Sequence, residues 1–303
     1  MTGPVPPGFV LVDKEQGWTS HDVVAKVRRL LGGKVGHAGT LDPMATGLLI
    51  LGIGRATKLL RFVQANEKEY VATAQLGVAT DSLDADGAII SREPLPADHD
   101  QIVSAMERFV GTIVQVPPMV SARRVEGKRL YELAREGRVV EREARPVTIH
   151  RLELLEVAPS DYPEITFRVV CSTGTYVRTL ADDIARSLGG RAHLTALRRT
   201  RNGSMLIENA TPVAGIVAAI AEGTIDPMAI ERMIVNPWDA LAFMPDIIVD
   251  DTVAFRVRNG RSVPLDDETI AEGAMVRIGS GDGRLVAVYR RERGALVPEV
   301  VLP

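Results

Sequence analysis

The chain has 303 residues, of which 46% are hydrophobic and 25% charged, a composition typical of a globular protein with one large and one small domain. No apolar run approaches the roughly 18 residues that a membrane span requires, which argues against a membrane protein. The single cysteine excludes an internal disulfide bond, and the start of the chain lacks the pattern of a secretion signal, so we expect a cytoplasmic protein.

The net charge of −3 hides an uneven distribution of charge along the chain. Residues 121–151 hold nine Arg or Lys against five Glu, and residues 191–201 hold four Arg and no acid. A basic segment is most often a solvated surface, but a local cluster can also bind a polyanion whatever the overall charge. RNA binding therefore stays open at this point.

The first predicted elements enclose a glycine-rich loop. A buried strand is predicted at residues 9–12, and a helix follows from the cap sequence at Thr19 to the stop at Gly32. Residues 36–47, GHAGTLDPMATG, then place three glycines, a proline and the carboxylate of Asp42 before an apolar strand. A loop held between a helix and a strand is a rigid support for a functional side chain.

Residue types alone leave three interpretations of this loop. Asp-Pro often starts a turn, so Asp42 could serve only its own backbone. A glycine-rich loop can cradle a phosphate, although the endings typical of phosphate-binding loops are missing here. The third interpretation is that the loop presents Asp42 as an active-site carboxylate.

Tyr70 begins the next strand, predicted at residues 69–76, on a face of small residues where an aromatic side chain is usually part of the core. The acidic stretch at residues 81–87 follows. Its spacing from Ser82 partly fits a calcium-binding loop, but a Ser replaces the first acid and a strand precedes it. We therefore interpret this stretch as an acidic turn and keep calcium as the weaker alternative.

The second half of the chain alternates strands and helices. Strands are predicted at residues 147–157, 164–172 and 192–200, with Cys171 as a small buried hydrophobe. A helix is predicted to begin at Val177, which belongs to its apolar face. The same helix carries Arg178, which could be an ordinary surface cation. Helices at residues 214–222 and 237–241 connect to a region that, from Ile247, consists of short strands between glycine turns.

Several segments resemble, in the same order, the motifs of the TruB family of tRNA pseudouridine synthases in its bacterial, actinobacterial-like form. GHAGTLDP at residues 36–43 matches the family's GHxGxLDP, and CSTGTYVRTLADD at 171–183 matches CSxGTYxRxLxxD. AHLTALRR at 192–199 matches AHxxxLRR, and residues 117–135 match PPxxSAxK and GxxxYxxAR, with Arg124 in place of the Lys. Residues 80–87 also resemble the family's TxxxDxxG turn.

This resemblance implies an α+β fold with two domains. A mixed, mainly antiparallel sheet would form the pseudouridine synthase catalytic domain over residues 1–245, with a thumb insertion at about 121–145 that closes over RNA. A small PUA-like β-barrel that binds RNA would occupy residues 246–303. The implied activity is the isomerisation of uridine 55 in the TΨC loop of tRNA, by a monomer with no cofactor, no metal and no obligate protein partner.

The resemblance also implies roles for individual residues. Asp42 would be the catalytic carboxylate, kept ionised by Arg178, which lowers its pKa. Tyr70 would stack on the uracil and assist proton transfer at C5, while His37 would fill the space that the flipped uridine leaves. Tyr176 and Leu197 would line the uridine pocket, and the residues expected to contact RNA are Arg123, Arg124, Lys128, Arg129, Arg198 and Arg199.

Two other classes of protein remain possible on the sequence. A non-catalytic RNA-binding or tRNA-folding protein would use the same basic segments, and it would not depend on Asp42. A carboxylate-dependent hydrolase of nucleosides would need Asp42 but no thumb.

Overall fold

The computed structural model describes residues 5–119, 124–125, 128–129, 140–221, 231–265 and 269–302. The helices are α1 (Ser20–Leu31), α2 (Leu60–Gln64) and α3 (His99–Glu107), followed by Val177–Ser187, which we call the Arg178 helix, and by Val213–Ala221, Pro237–Ala240 and Asp251–Arg258. Two 3-10 turns span Gly54–Leu59 and Ile207–Asn209. The strands are β1 (Gly8–Lys14), β2 (Val35–His37), β3 (Thr46–Ile53), β4 (Lys68–Leu76), β5 (Val78–Thr80), β6 (Ile89–Arg92), β7 (Gly111–Gln115), β8 (Arg124–Val125), β9 (Lys128–Arg129), β10 (Arg145–Ala158), β11 (Glu164–Cys171), β12 (Ala192–Asn202), β13 (Met205–Leu206), β14 (Thr211–Pro212), β15 (Ile234–Val235), β16 (Asp246–Val249), β17 (Val263–Pro264), β18 (Met275–Ser280), β19 (Leu285–Glu292) and β20 (Ala295–Val301).

Within these ranges, one large sheet has the strand order β14-β1-β3-β12-β4-β11-β10-β7, with β2, β13 and β15 paired at its side. Its neighbours run antiparallel except for the parallel pairs β1–β14 and β3–β12. The parallel pair at the centre brings the start of β3, which leaves the Asp42 loop, beside β12. The predicted mixed, mainly antiparallel α+β fold is confirmed.

Local sequence accounts for the elements that lead into the loop. Thr19 and Asp22 form the reciprocal hydrogen bonds of a capping box at the start of α1, and Gly32, with φ of +70°, ends the helix. In β4, every second residue from Lys68 to Leu76 is buried, as the alternating sequence predicts.

Two packed clusters connect the sheet to the rest of the chain. One lies between the large sheet, α1, α3 and the Arg178 helix. The other packs Phe9 and Leu48, from β1 and β3, together with Leu285 and Val288 of the C-terminal region. The C-terminal region is therefore attached to the large sheet through apolar contacts.

The C-terminal region contains a second sheet, with the order β16-β18-β19-β20-β17 among the described residues. This is the small β-domain expected for a PUA-like unit, and β16 begins at Asp246, although the domain limits at residues 245 and 246 remain a prediction. The helix Asp251–Arg258 was not predicted there. Asp250 caps it by accepting a hydrogen bond from the Val253 N–H.

Most of the predicted thumb at residues 121–145 lies outside the described residues. Within it, β8 and β9 form a two-stranded pair. None of the helices in the described part of the chain is long and apolar enough to span a membrane.

Candidate active site

The backbone on both sides of Asp42 is held by buried polar side chains. The Ser20 hydroxyl accepts from the Leu41 N–H at 2.9 Å, just before Asp42. The Lys14 ammonium, which is fully buried, donates to the Pro43 carbonyl at 3.3 Å and to two further carbonyls at 2.7 and 3.0 Å. Burial lowers the pKa of Lys14 to about 8, and the negative charge of Asp42 opposes this. The sequence analysis gave no role to Lys14, because a lysine is rarely buried.

The loop ends at Gly47, whose backbone approaches β12 too closely for a side chain. Gly47 has φ of +97°, and a Cβ built on it would lie 2.3 Å from the Arg199 carbonyl oxygen and 2.9 Å from the Arg199 nitrogen. Both atoms belong to backbone and cannot turn away, so the third glycine of the loop is required by its packing against the sheet.

We expect Gly47→Ala to destabilise the protein by about 2 kcal/mol or more, since the substitution adds both a strained φ and a backbone clash. Urea unfolding followed by circular dichroism measures this loss. The matched control is Gly281→Ala, where φ is not positive and a Cβ meets nothing within 4 Å. Equal midpoints for the two variants would contradict the packing described here.

Asp42 and Arg178 meet at the surface of a pocket, as predicted. The Arg178 Nη2 atom lies 3.0 Å from Asp42 Oδ2, and the Arg178 side chain is 3% exposed. About a third of the Asp42 side chain (33%) stays accessible. The carboxylate is therefore held by a buried cation and still faces the space in which a ligand could lie.

Asp84 is the third member of this group, and its role was missed by the sequence analysis. Arg178 Nη1 donates to Asp84 Oδ2 at 2.9 Å and to the Ser82 carbonyl at 2.8 Å, so the guanidinium bridges two carboxylates. Asp84 is 4% exposed and also accepts from the Ser82 hydroxyl. The signal was present in the TxxxDxxG resemblance, but nothing in a single sequence says which side chain meets that acid.

The calcium alternative is disfavoured by the same contacts. The Asp84 carboxylate and the Ser82 carbonyl are engaged by the guanidinium of Arg178. A metal ion at this turn would have to displace a buried cation.

Burial dominates the electrostatics of Asp42 and raises its pKa above the ordinary value for a carboxyl group. Arg178 lowers that pKa, as expected, while Asp84 raises it and Lys14 lowers it. The predicted sign of the Arg178 effect is thus confirmed, but the net shift of the Asp42 pKa is upward because desolvation is the larger influence. A carboxyl group with a raised pKa is a better proton acceptor near neutral pH.

The pocket beside Asp42 has a volume of about 100 Å³. It is lined by Thr40, Leu41, Asp42, Tyr70, Thr175, Tyr176, Val177, Arg178 and Leu197. This volume is well below that of sites for drug-sized ligands. The structure therefore brings together five of the predicted site residues, which come from the loop, β4, β12 and the Arg178 helix.

Three of these side chains form apolar or aromatic walls. Tyr70 is 8% exposed, and burial raises the pKa of its phenol. Leu197 is 7% exposed and lies opposite Ala72 of β4. Tyr176 precedes the Arg178 helix, and its N–H donates to Gln115 Oε1 at 3.0 Å. A ring entering this pocket would find an aromatic and aliphatic enclosure with one carboxylate.

His37 is not part of the pocket lining. It ends β2, half-buried, and its ring meets the ring of His21 edge to face, with centroids 5.5 Å apart and an interplanar angle of 74°. Its position early in the Asp42 loop and outside the pocket leaves the predicted contact with a flipped-out RNA loop as a proposal.

The predicted RNA contacts of β12 separate into two cases. Arg198 is half-exposed and pairs with Asp13 through two contacts of 2.8 and 3.1 Å. The prediction for Arg199 is wrong, because its side chain is 1% exposed and points into the protein. Arg123 lies outside the described residues, and Arg124, Lys128 and Arg129 are described only as backbone of β8 and β9.

A second cavity, of about 400 Å³, opens between the start of α3 and the distal half of β10. It is lined mainly by apolar atoms, and none of the predicted site residues contacts it. The smaller pocket is therefore the candidate active site.

Comparisons with known proteins agree on one family. The model of the "TruB family pseudouridylate synthase (N terminal domain)" matches residues 27–177. A relative from Burkholderia mallei named tRNA pseudouridine synthase B is 43% identical over 298 residues, covering 96% of this chain and 95% of that protein. A relative of the same name from Cupriavidus metallidurans is 42% identical and covers 96% and 93% of the two chains.

Solved structures extend this likeness to the whole fold. A chain of the archaeal box H/ACA sRNP Nop10–Cbf5 complex matches with a TM-score of 0.75 and 27% identity, over 99% of this chain and 88% of that one. A chain of an H/ACA RNP bound to a substrate RNA containing 2′-deoxyuridine matches with a TM-score of 0.73 and 26% identity, over 98% and 85%.

Proposed function

Because this chain belongs to the TruB family of pseudouridylate synthases, we propose that it converts uridine 55 in the TΨC loop of tRNA to pseudouridine. The observation that carries this proposal is the contact between Asp42 and the buried Arg178 at the mouth of a pocket of about 100 Å³. Relatives that match nearly the whole chain are named tRNA pseudouridine synthase B, which supports formation of pseudouridine in tRNA.

The reaction is an isomerisation in which the N1–C1′ bond of uridine breaks and a C5–C1′ bond forms. The proton at C5 is lost, and N1 gains one, so the overall composition is unchanged. Asp42 is the carboxylate that acts on the sugar or the base, as carboxylates do in glycosidic bond cleavage. Attack at C1′, attack at C6 and removal of a 2′ proton are all compatible with its position.

The other pocket residues divide the remaining tasks. Arg178 holds the Asp42 carboxylate and favours its ionised form, while Asp84 holds Arg178 from the other side. Tyr70 provides a flat ring against which the uracil stacks, and it assists removal of the C5 proton. Tyr176 and Leu197 enclose the base while it turns between bond cleavage and bond formation.

The RNA is recognised as a folded stem-loop with one base turned outward. His37 occupies the space left by the uridine, and Arg198 lies on β12 opposite Thr46, where the chain leaves the loop. Arg123, Arg124, Lys128 and Arg129 of the thumb and the PUA-like region at residues 246–303 contact the phosphates of the T stem-loop. The enzyme works as a monomer, with no obligate protein partner.

Release of tritium from tRNA transcripts that carry [5-³H]uridine tests this function. We expect the protein to release tritium until each tRNA has lost the label of one uridine, and to release none from a transcript with cytidine at position 55. A non-catalytic RNA-binding protein would bind both transcripts without release, and a nucleoside hydrolase would liberate free uracil. Equal release from both transcripts would reject position 55.

A further inference from the structure

Arg199 was expected to bind RNA, yet it is among the largest fully buried side chains of the protein. Burying a guanidinium is costly, and it persists where its donors are well satisfied. Its hydrogen bonds go to two backbone carbonyls rather than to a carboxylate. The site described above gives this buried cation no task.

The guanidinium connects the two limbs of the Asp42 loop. Arg199 Nε donates to the Leu48 carbonyl at 2.6 Å, and Nη2 donates to the Gly39 carbonyl at 3.2 Å. Gly39 lies three residues before Asp42 and Leu48 lies six residues after it. One planar group with fixed donors therefore sets the separation of the segments before and after Asp42.

The same side chain also acts on Tyr70. Burial raises the pKa of the Tyr70 phenol and the charge of the Arg199 guanidinium opposes that rise, and Tyr70 lines the pocket together with the Asp42 loop. The backbone repeats this connection, because Arg199 is paired with Tyr70 on β4 and with Gly47 on β3. Arg199 is thus joined to both halves of the pocket, to the loop through its guanidinium and to Tyr70 through strand pairing.

We propose that Arg199 is a positioning residue for the isomerisation, which fixes the Asp42 loop and the Tyr70 ring relative to each other. This inference rests on the proposed function. It adds a residue that touches neither the base nor the reacting carboxylate and acts through both walls of the pocket. The fork geometry matters to this role, since the Nε and Nη2 atoms of one planar group donate in fixed directions to two separate segments of chain, whereas a lysine offers a single nitrogen.

Arg199→Lys tests the proposal, with Arg201→Lys as the matched control. Arg201 lies two residues further along β12 and pairs at the surface with Glu67. We expect Arg199→Lys to lower the single-turnover rate of tritium release per folded molecule about 100-fold, the effect of a displacement of about 1 Å at a reacting centre. The dissociation constant for tRNA should remain that of the wild type, and Arg201→Lys should match the wild type in both quantities.

A double-mutant cycle with Tyr70→Phe separates positioning from stability. If Arg199 acts partly through the phenol, Arg199→Lys costs less in the Tyr70→Phe background than in the wild type. The folded fraction of each variant is taken from its unfolding curve, and Arg199→Gln is measured alongside.

A wild-type rate per folded molecule in both Arg199 variants would overturn the proposal, as would a loss of rate matched by an equal loss of tRNA affinity. Absence of tritium release by the wild type would reject the proposed function instead.

Discussion

Asp42→Asn should abolish tritium release from tRNA, with a loss of about 10⁴-fold or more, because the reaction has one carboxylate within reach of the base. The fold should survive the change, since Arg178 keeps its contact with Asp84 at 2.9 Å. Affinity for tRNA should also persist, because the residues proposed to contact phosphates are untouched. The measurement is single-turnover release with enzyme in excess over tRNA.

The control for this variant is Asp100→Asn, an exposed acid at the start of α3. It removes the same charge from the chain and should leave the rate unchanged. Substantial turnover by Asp42→Asn would reject Asp42 as the acting group, and a non-catalytic RNA-binding protein would then be the better description.

Variants of Arg178 and Asp84 should move the acid limb of the pH–rate profile in opposite directions. Arg178 lowers the pKa of Asp42 and Asp84 raises it. With Arg178→Ala, the pKa of Asp42 rises further, so activity is lost at a higher pH than in the wild type as the medium is acidified. With Asp84→Asn, the pKa of Asp42 falls and the limb moves to lower pH.

The maximal rates of the two variants, measured on the plateau of the pH–rate profile, should differ as well. Arg178→Ala leaves two carboxylates near each other without their cation, so we expect about a 10³-fold lower rate and a loss of stability of about 3–5 kcal/mol. Asn at position 84 still accepts a hydrogen bond from Arg178, so a fall of about tenfold is expected. Asp86→Asn, at an exposed acid of the same turn, is the control. Shifts of the limb in the same direction for the Arg178 and Asp84 variants would contradict the arrangement of the three groups.

Periodicity and cap residues predicted most of the architecture. The alternating burial of β4, the capping box at Thr19 and the glycine end of α1 depend on neighbours in the chain, and such patterns are visible in a single sequence. The pairing of Asp42 with Arg178 came from the resemblance, since 136 residues separate these positions. Without it, Arg178 would have been assigned to the surface.

The sequence predictions that failed or were missing concern buried charged residues. β12 has register irregularities between Leu194 and Ala196 and between Arg199 and Arg201, so simple alternation does not tell which of its arginines faces inward. Arg199 was therefore assigned to RNA, and the buried Lys14 and Asp84 received no role. Each has at least one partner distant in sequence, namely the Leu48 carbonyl for Arg199, the Pro43 carbonyl for Lys14 and Arg178 for Asp84, and only the folded chain brings these groups together.

The most direct test of the central claim is to map pseudouridine along a tRNA transcript after incubation with stoichiometric wild-type or Asp42→Asn protein. Carbodiimide modification followed by primer extension locates each pseudouridine. If Asp42, held by Arg178, performs the isomerisation, the wild type yields pseudouridine at position 55 and the variant yields an unmodified transcript to which it still binds. Pseudouridine at position 55 made by Asp42→Asn, or a wild-type product that leaves this uridine unchanged, would contradict it.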